Sequence, residues 1–187
     1  MRFALGFSVH TGWAAVVAVD ERGQVELRRR VRLTATAEEG EFFHAAREMP
    51  LADAAGFLAA SERDMIAAAT GVVSALLAEL APRLVVAAGV VVGNGKLPGS
   101  LEAIVRSHPL VHAAEGDLFR RVFGRASADL GLAVTTVRVR DLAGHERISR
   151  PAGSPWGKDE KDAAVAALLA LETANRGARK PVERDDG

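Results

Sequence analysis

The segment 84–92 reads LVVAAGVVV, a nearly continuous run of small and β-branched apolar residues. Such a run is typical of a strand buried on both faces of a sheet, because a strand with one exposed face alternates apolar and polar residues. Pro82 and Arg83 precede the run, and a glycine-rich turn at residues 93–99 follows it. The segment therefore predicts the central strand of an α/β sheet.

Three strands are predicted before this segment, at residues 3–9, 12–20 and 25–34. Their tight connections predict an antiparallel meander. The third strand alternates apolar and charged residues, and its charged face carries a basic stripe of three arginines, Arg28, Arg30 and Arg32. Such charges commonly prevent edge-to-edge pairing of strands. A nucleic-acid surface would need aromatic side chains beside the arginines, and this strand has none.

Helical segments follow the meander. Apolar residues recur at helical spacing in residues 51–80, 101–130 and 158–175, and more weakly in 38–49. Pro109 breaks the 101–130 segment, because proline is tolerated in the first turn of a helix but not in its interior.

Residues 133–140 alternate as a fifth strand. The resulting order β-β-β-α-β-α-β-α predicts an α/β fold with a mixed five-stranded sheet and helices on both faces. We expect one domain at residues 1–176, followed by a disordered charged tail at 177–187.

The composition excludes several classes of protein. The chain has 187 residues, 24 basic and 24 acidic side chains and no cysteine. It therefore has neither disulfides nor a cysteine-ligated zinc site, and any binding of nucleic acid must use a local basic patch. We expect a cytoplasmic protein without membrane contact, because no apolar run could span a bilayer and no signal peptide is recognisable.

Two short motifs carry a resemblance to a known family. They are LGFSVHTGWAAVV at residues 5–17 and KDEKDAAVAAL at residues 158–168. Together with the order of elements, they resemble the ribonuclease H-like superfamily and, within it, the RuvC-like Holliday-junction resolvases. The resemblance implies the sheet order 3-2-1-4-5. It also implies a nuclease site in which carboxylates of the first strand, the fourth strand and the last helix hold two divalent cations.

The acidic residues depart from that pattern. Ser8 stands where the first strand should carry an aspartate, and residues 85–92 contain no acid. Asp159 and Asp162 match on the last helix, where a spacing of three residues puts both carboxylates on one face. They are the candidate catalytic residues, and the alternative is that they only complement the helix dipole. The departures predict a nuclease-inactive protein or a rebuilt site.

A second cluster is independent of the resemblance. On one helical stripe, His108, His112 and Glu115 could bind Zn²⁺, Mn²⁺ or Fe²⁺, and Glu115 is also a candidate catalytic group. For the protein as a whole, the expected cofactor is a divalent cation such as Mg²⁺, Mn²⁺ or Zn²⁺. Because Glu115 lies on the apolar face, we expect it to have a partner. The alternatives are a polar cluster without metal and a purely structural role.

The glycine-rich turn at residues 93–99 is the third feature. Its backbone amides, Lys96 and the following helix N-terminus suit an anion, although a plain turn is the alternative. If the predicted fold holds, this loop lies at the same edge of the sheet as the first turn and the last helix. We therefore predict a ligand-binding rim of Ser8, His10, Thr11, Asn94, Lys96, Asp159 and Asp162.

Three functions remain open on the sequence. The first is a divergent ribonuclease H-like protein that binds a phosphate-containing ligand or nucleic acid at this rim. The second is a metal-dependent hydrolase that uses His112 and Glu115. The third is a non-catalytic interaction or assembly domain.

Overall fold

A mixed β-sheet forms the centre of the protein in the computed structural model, which describes residues 1–153 and 156–178. The strands of the described residues are β1 Arg2–His10, β2 Trp13–Asp20, β3 Val25–Arg32, β4 Leu84–Val92 and β5 Ala133–Arg138. The helices are α1 Phe42–Arg47, α2 Leu51–Leu80, α3 Leu101–Val105, α4 His108–Asp129 and α5 Lys158–Ala178.

The sheet has the order β3-β2-β1-β4-β5, which confirms the order that the resemblance to the ribonuclease H-like superfamily implies. The first three strands pair antiparallel, whereas β4 pairs parallel with both β1 and β5. The carboxyl ends of β1, β4 and β5 therefore meet at one edge of the sheet, which we call the upper edge.

Helices cover both faces of the sheet. On one face, α2 and α4 pack through side chains such as Val73, Leu118 and Phe123 against Leu5 and Phe7 of β1. On the other face, α5 packs through alanines and leucines against small side chains of β1, β2 and β4. β4 is buried on both faces over most of its length, which explains its lack of alternation.

The break predicted within the 101–130 segment is confirmed: it separates α3 from α4, and Pro109 lies in the first turn of α4, where its missing N–H removes no helical hydrogen bond. Several predicted boundaries differ from the structure by a few residues. β3 ends at Arg32 rather than at residue 34, and the weakly helical segment 38–49 holds a 3₁₀ turn and α1. β5 ends at Arg138, before a short 3₁₀ turn. α5 continues to Ala178, and the remainder of the predicted tail, residues 179–187, lies outside the described residues. No helix of the described part is both long and apolar enough to cross a membrane.

Two glycines allow α5 to lie directly on the sheet. A β-carbon on Gly6 would be 1.8 Å from the carbonyl oxygen of Ala163, and one on Gly89 would be 2.0 Å from the carbonyl oxygen of Ala166. Both distances are far below van der Waals contact, and the atoms that would be met are backbone atoms. Any larger residue in β1 or β4 at these positions would push the helix away from the sheet.

We expect Gly89→Ala to lower the free energy of unfolding by at least about 2 kcal/mol, because its β-carbon would overpack the contact with α5. Gly71→Ala is the matched control, since Gly71 lies in α2 with open space around it. It should raise the stability by about 0.5–1 kcal/mol through helix propensity. Urea denaturation of both variants measures the difference, and equal effects would contradict the close contact.

Candidate functional site at the upper edge of the sheet

The first turn of α5 brings Asp159 to the carboxyl end of β1. Ser8 Oγ donates a hydrogen bond to Asp159 Oδ1 at 3.2 Å. His10 Nε2 lies 3.1 Å from the same oxygen. Ser8 and His10 share one face of β1 because they are two residues apart, so both side chains can reach the helix. We call these three residues the Asp159 cluster.

Asp162, one turn further along α5, is buried and has two nitrogen-bearing neighbours, an imidazole and an ammonium group. His145 Nε2 lies 3.1 Å from Asp162 Oδ1. Lys158 forms an ion pair with Asp162 Oδ2, and this hydrogen bond raises the pKa of the Lys158 ammonium. The Lys158 contact follows a spacing of four residues that the sequence shows, whereas His145 arrives from a loop without any local signal.

Glu160, between these two aspartates, has a structural role at the start of α5. Its Oε2 accepts a hydrogen bond from the backbone N–H of Gly157 at 2.9 Å, which satisfies a donor just before the helix. Asp159 and Asp162 instead point to the groups described above. The three neighbouring acids therefore have different surroundings.

These residues do not fit the two-cation nuclease site that the resemblance implies. Ser8 occupies the position of the first-strand carboxylate, and β4 contributes no acid. The two remaining carboxylates already contact His10, His145 and Lys158. Two divalent cations need several carboxylate oxygens to offset their charge, and this cluster has too few.

A stacked group of side chains lies next to the Asp159 cluster. The rings of His10 and Trp13 are nearly parallel, with centroids 4.1 Å apart. The guanidinium carbon of Arg30 lies 4.1 Å from the Trp13 centroid, so the basic stripe of β3 does have an aromatic neighbour, on β2 rather than on β3. Trp156, in contrast, packs against the apolar side of α5.

A basic pocket opens between α4 and the upper ends of β4 and β5. It has a volume of about 790 Å³ and is lined by Lys96, Arg120 and Arg138, by Asp117, and by backbone of the loop that follows β4. We call it the Arg120 pocket. Asn94 lies in that loop, where its Oδ1 accepts a hydrogen bond from the backbone N–H of Arg140 at 3.2 Å.

Arg120 is half-buried in this pocket. Its Nε is inaccessible and has no hydrogen-bond partner among the described residues. Burial lowers the pKa of the Arg120 guanidinium, and the nearby Asp117 carboxylate opposes that shift. Asp117 itself forms an ion pair with Arg121. The sequence gives no signal for Arg120, because only the packing of α4 against β4 places it beside Lys96.

The residues of the predicted rim therefore do not form one site. Ser8 and His10 both contact Asp159, whereas Lys96 belongs to the Arg120 pocket, whose lining includes no residue of β1 or α5. Thr11 faces a third direction. It lies beside Gly40 of the segment before α1. A β-carbon added to Gly40 would be 3.1 Å from Thr11 Cγ2 and 3.1 Å from the Phe119 ring of α4.

Three imidazoles meet where α1 packs against the start of α4. One nitrogen from each of His44, His108 and His112 lies within 4.8 Å of a nitrogen of the other two. Glu115 lies behind them and is 2% exposed; its Oε1 is 2.7 Å from His44 Nδ1. Sequence reasoning found His108, His112 and Glu115 but missed His44, which has no informative spacing to them. We call these four residues the histidine cluster.

No protein family model and no curated protein sequence matches the chain. Solved structures do match it. RuvC from Thermus thermophilus in complex with a Holliday junction substrate superimposes with a TM-score of 0.53 and 15% identity, over 97% of this chain and 100% of that one. The chain has a RuvC-like, ribonuclease H-like fold.

A second structure of RuvC from the same organism gives a TM-score of 0.50 and 13% identity, over 96% of this chain and 99% of that one. The resemblance inferred from the two sequence motifs is thus confirmed at the level of the fold. The identities are low, and the RuvC-like fold by itself does not assign an activity to this chain.

We expect Ser8→Asp to lower the stability in metal-free buffer by about 2 kcal/mol or more, because it adds a buried carboxylate beside Asp159. Mg²⁺, which prefers carboxylate oxygens, should restore much of this loss. Thermal unfolding with and without Mg²⁺ measures both effects.

The control for this substitution is Ser74→Asp, at an exposed position of α2, which should be nearly neutral and insensitive to Mg²⁺. If the unsubstituted protein gained as much stability from Mg²⁺ as Ser8→Asp does, then the Asp159 cluster would already hold the cation and the donor set would be sufficient.

Proposed function

We propose that this protein binds nucleic acid through phosphate contacts in the Arg120 pocket, without cleaving it by the two-cation mechanism. The observation that carries the proposal is the charge of the pocket. Three cationic side chains, Lys96, Arg120 and Arg138, face a single carboxylate, Asp117, which is already paired with Arg121.

The half-buried guanidinium supports a ligand of opposite charge. Burial disfavours the charged form of this guanidinium, and a phosphate in the pocket would offset that cost with its opposite charge. Lys96 and Arg138 form no ion pair in the described part of the chain, so their charges are available to the same ligand. Backbone of Gly93 and Gly95 lines the pocket and allows a close approach.

Nucleic acid is the source of phosphate that the fold favours. The Thermus thermophilus RuvC structure described above contains a Holliday junction substrate, and its fold covers nearly the whole of this chain. The stack of His10, Trp13 and Arg30 places a further cation on the same edge of the sheet, where the guanidinium could contact a phosphate. A cytoplasmic location belongs to the same proposal.

The pocket is tested by fluorescence anisotropy with a labelled four-way DNA junction and a duplex of the same length. Arg120→Ala should weaken binding at least about tenfold and reduce the slope of log K against log salt by about 1, since one phosphate contact is lost. Arg125→Ala is the matched control, because it removes the same charge from an exposed position of α4 that is paired with Asp129. It should change the affinity less than about twofold.

Lys96→Ala, at an exposed position, provides a second test that does not depend on the packing of Arg120. It should also weaken binding in a salt-dependent manner. Absence of binding, salt-independent binding, or equal losses in Arg120→Ala and Arg125→Ala would contradict the proposal.

We further expect an end-labelled junction to remain intact when it is incubated with the protein and Mg²⁺ or Mn²⁺, because β1 and β4 lack the carboxylates that the two-cation mechanism needs. Denaturing gel electrophoresis detects any cleavage. Cleavage that disappears in Asp159→Asn would show that the α5 carboxylates are catalytic and would refute this part of the proposal.

A further inference from the structure

The histidine cluster contains a buried carboxylate whose side-chain partners are imidazoles. Glu115 is 2% exposed and lies on the face of α4 that packs into the apolar core. No lysine or arginine pairs with it among the described residues, and its charged neighbours are imidazoles only. A buried carboxylate is expensive unless strong hydrogen bonds or a cation compensate it.

Glu115 orients His44 through a hydrogen-bond contact and lies near a second imidazole, that of His112. Glu115 Oε1 accepts a hydrogen bond from the backbone N–H of His44 at 3.2 Å and lies 2.7 Å from His44 Nδ1. Glu115 Oε2 lies 3.9 Å from His112 Nδ1. In both rings the nitrogen nearest the carboxylate is Nδ1, so Nε2 is left to point away from Glu115.

One nitrogen of each of the three imidazoles lies within 4.8 Å of a nitrogen of the other two. His112 Nε2 lies 3.1 Å from His108 Nε2, and the His44 ring centroid is 4.6 Å from that of His112. Two nitrogens bound to one tetrahedral ion at about 2.0–2.1 Å would lie roughly 3.3 Å apart, which is close to the observed separation. A carboxylate behind a ligating imidazole is also the usual arrangement around zinc in proteins.

We infer that His44, His108 and His112 bind a transition-metal ion, with Zn²⁺ the best match, and that Glu115 is a positioning residue that orients His44 through its Nδ1. Three neutral imidazoles without a thiolate or a ligating carboxylate suit Zn²⁺ better than Mg²⁺ or Ca²⁺, which prefer oxygen ligands. The site is exposed at His108 and His112, so a fourth coordination position is open to water or to an anionic ligand.

This site is separate from the Arg120 pocket. On α4 the histidines occupy positions 108 and 112, whereas the pocket is lined by positions 110, 113 and 117, which the helical repeat places on the opposite side of the helix. The metal site therefore does not depend on the proposed nucleic-acid binding, and either can fail without the other.

The test uses the protein with any affinity tag removed and with metal stripped by a chelator that is then dialysed away. Calorimetric titration with Zn²⁺ should give one ion per chain, and Co²⁺ should give the intense visible absorption of a tetrahedral complex. His112→Ala should abolish both signals. Because His112 is exposed in the structure, its loss should leave the fold intact, which circular dichroism verifies.

Two further variants separate the roles of the residues. Glu115→Gln should keep the stoichiometry and the tetrahedral Co²⁺ spectrum but weaken the affinity about 10–100-fold, as expected for a residue that orients a ligand. His145→Ala is the control, because it removes an exposed imidazole that lies beside Asp162 rather than in the cluster. It should leave one tightly bound ion per chain.

Three results would overturn the inference. They are the absence of stoichiometric Zn²⁺ binding, binding that persists in His112→Ala, and a weak Co²⁺ spectrum typical of octahedral coordination. An affinity unchanged by Glu115→Gln in a folded variant would remove the positioning role of Glu115 while leaving the three-histidine site in place.

Discussion

The contact between the backbone of α5 and the two central parallel strands is the constraint on which the rest of the structure depends. Without side chains at Gly6 and Gly89, the carbonyl oxygens of Ala163 and Ala166 lie against β1 and β4 themselves. This closeness fixes where α5 begins. It puts Asp159 beside Ser8 and His10, and it puts Asp162 where His145 can reach it.

The opposite face of the sheet depends on α4, which forms part of three different environments. One side of the helix is buried in the core through Phe119, Val122 and Phe123. A second side lines the Arg120 pocket, and the start of the helix carries the histidine cluster against α1. One helix therefore carries residues of all three environments on different sides.

The electrostatics are local rather than global. The chain is neutral overall, but its charges are unevenly placed, with paired carboxylates at the start of α5 and uncompensated cations in the Arg120 pocket. At physiological salt, interactions between exposed charges are screened within about 8 Å. An anionic ligand in the pocket therefore interacts with the charges of the pocket rather than with the net charge of the protein. A neutral protein can therefore present a basic site to phosphate.

The sequence by itself determined the fold and part of the candidate sites. The apolar run of β4, the alternation in β3 and the helical repeat of α2 report which faces are buried, and these local patterns placed most elements. The sheet order followed from the resemblance of two short motifs to the ribonuclease H-like superfamily. Spacing within one helix also put His108, His112 and Glu115 on one stripe, and Asp159 and Asp162 on another.

Only the tertiary structure decided which residues complete those sites. His44 is 71 residues from Glu115, and His145 is 17 residues from Asp162 in a loop without regular spacing. Arg120 meets Lys96 only because α4 packs against β4. The periodicity of a segment indicates which of its side chains face the core. It does not indicate which side chain from a distant part of the sequence will contact them, because that depends on how helices and loops pack on the sheet.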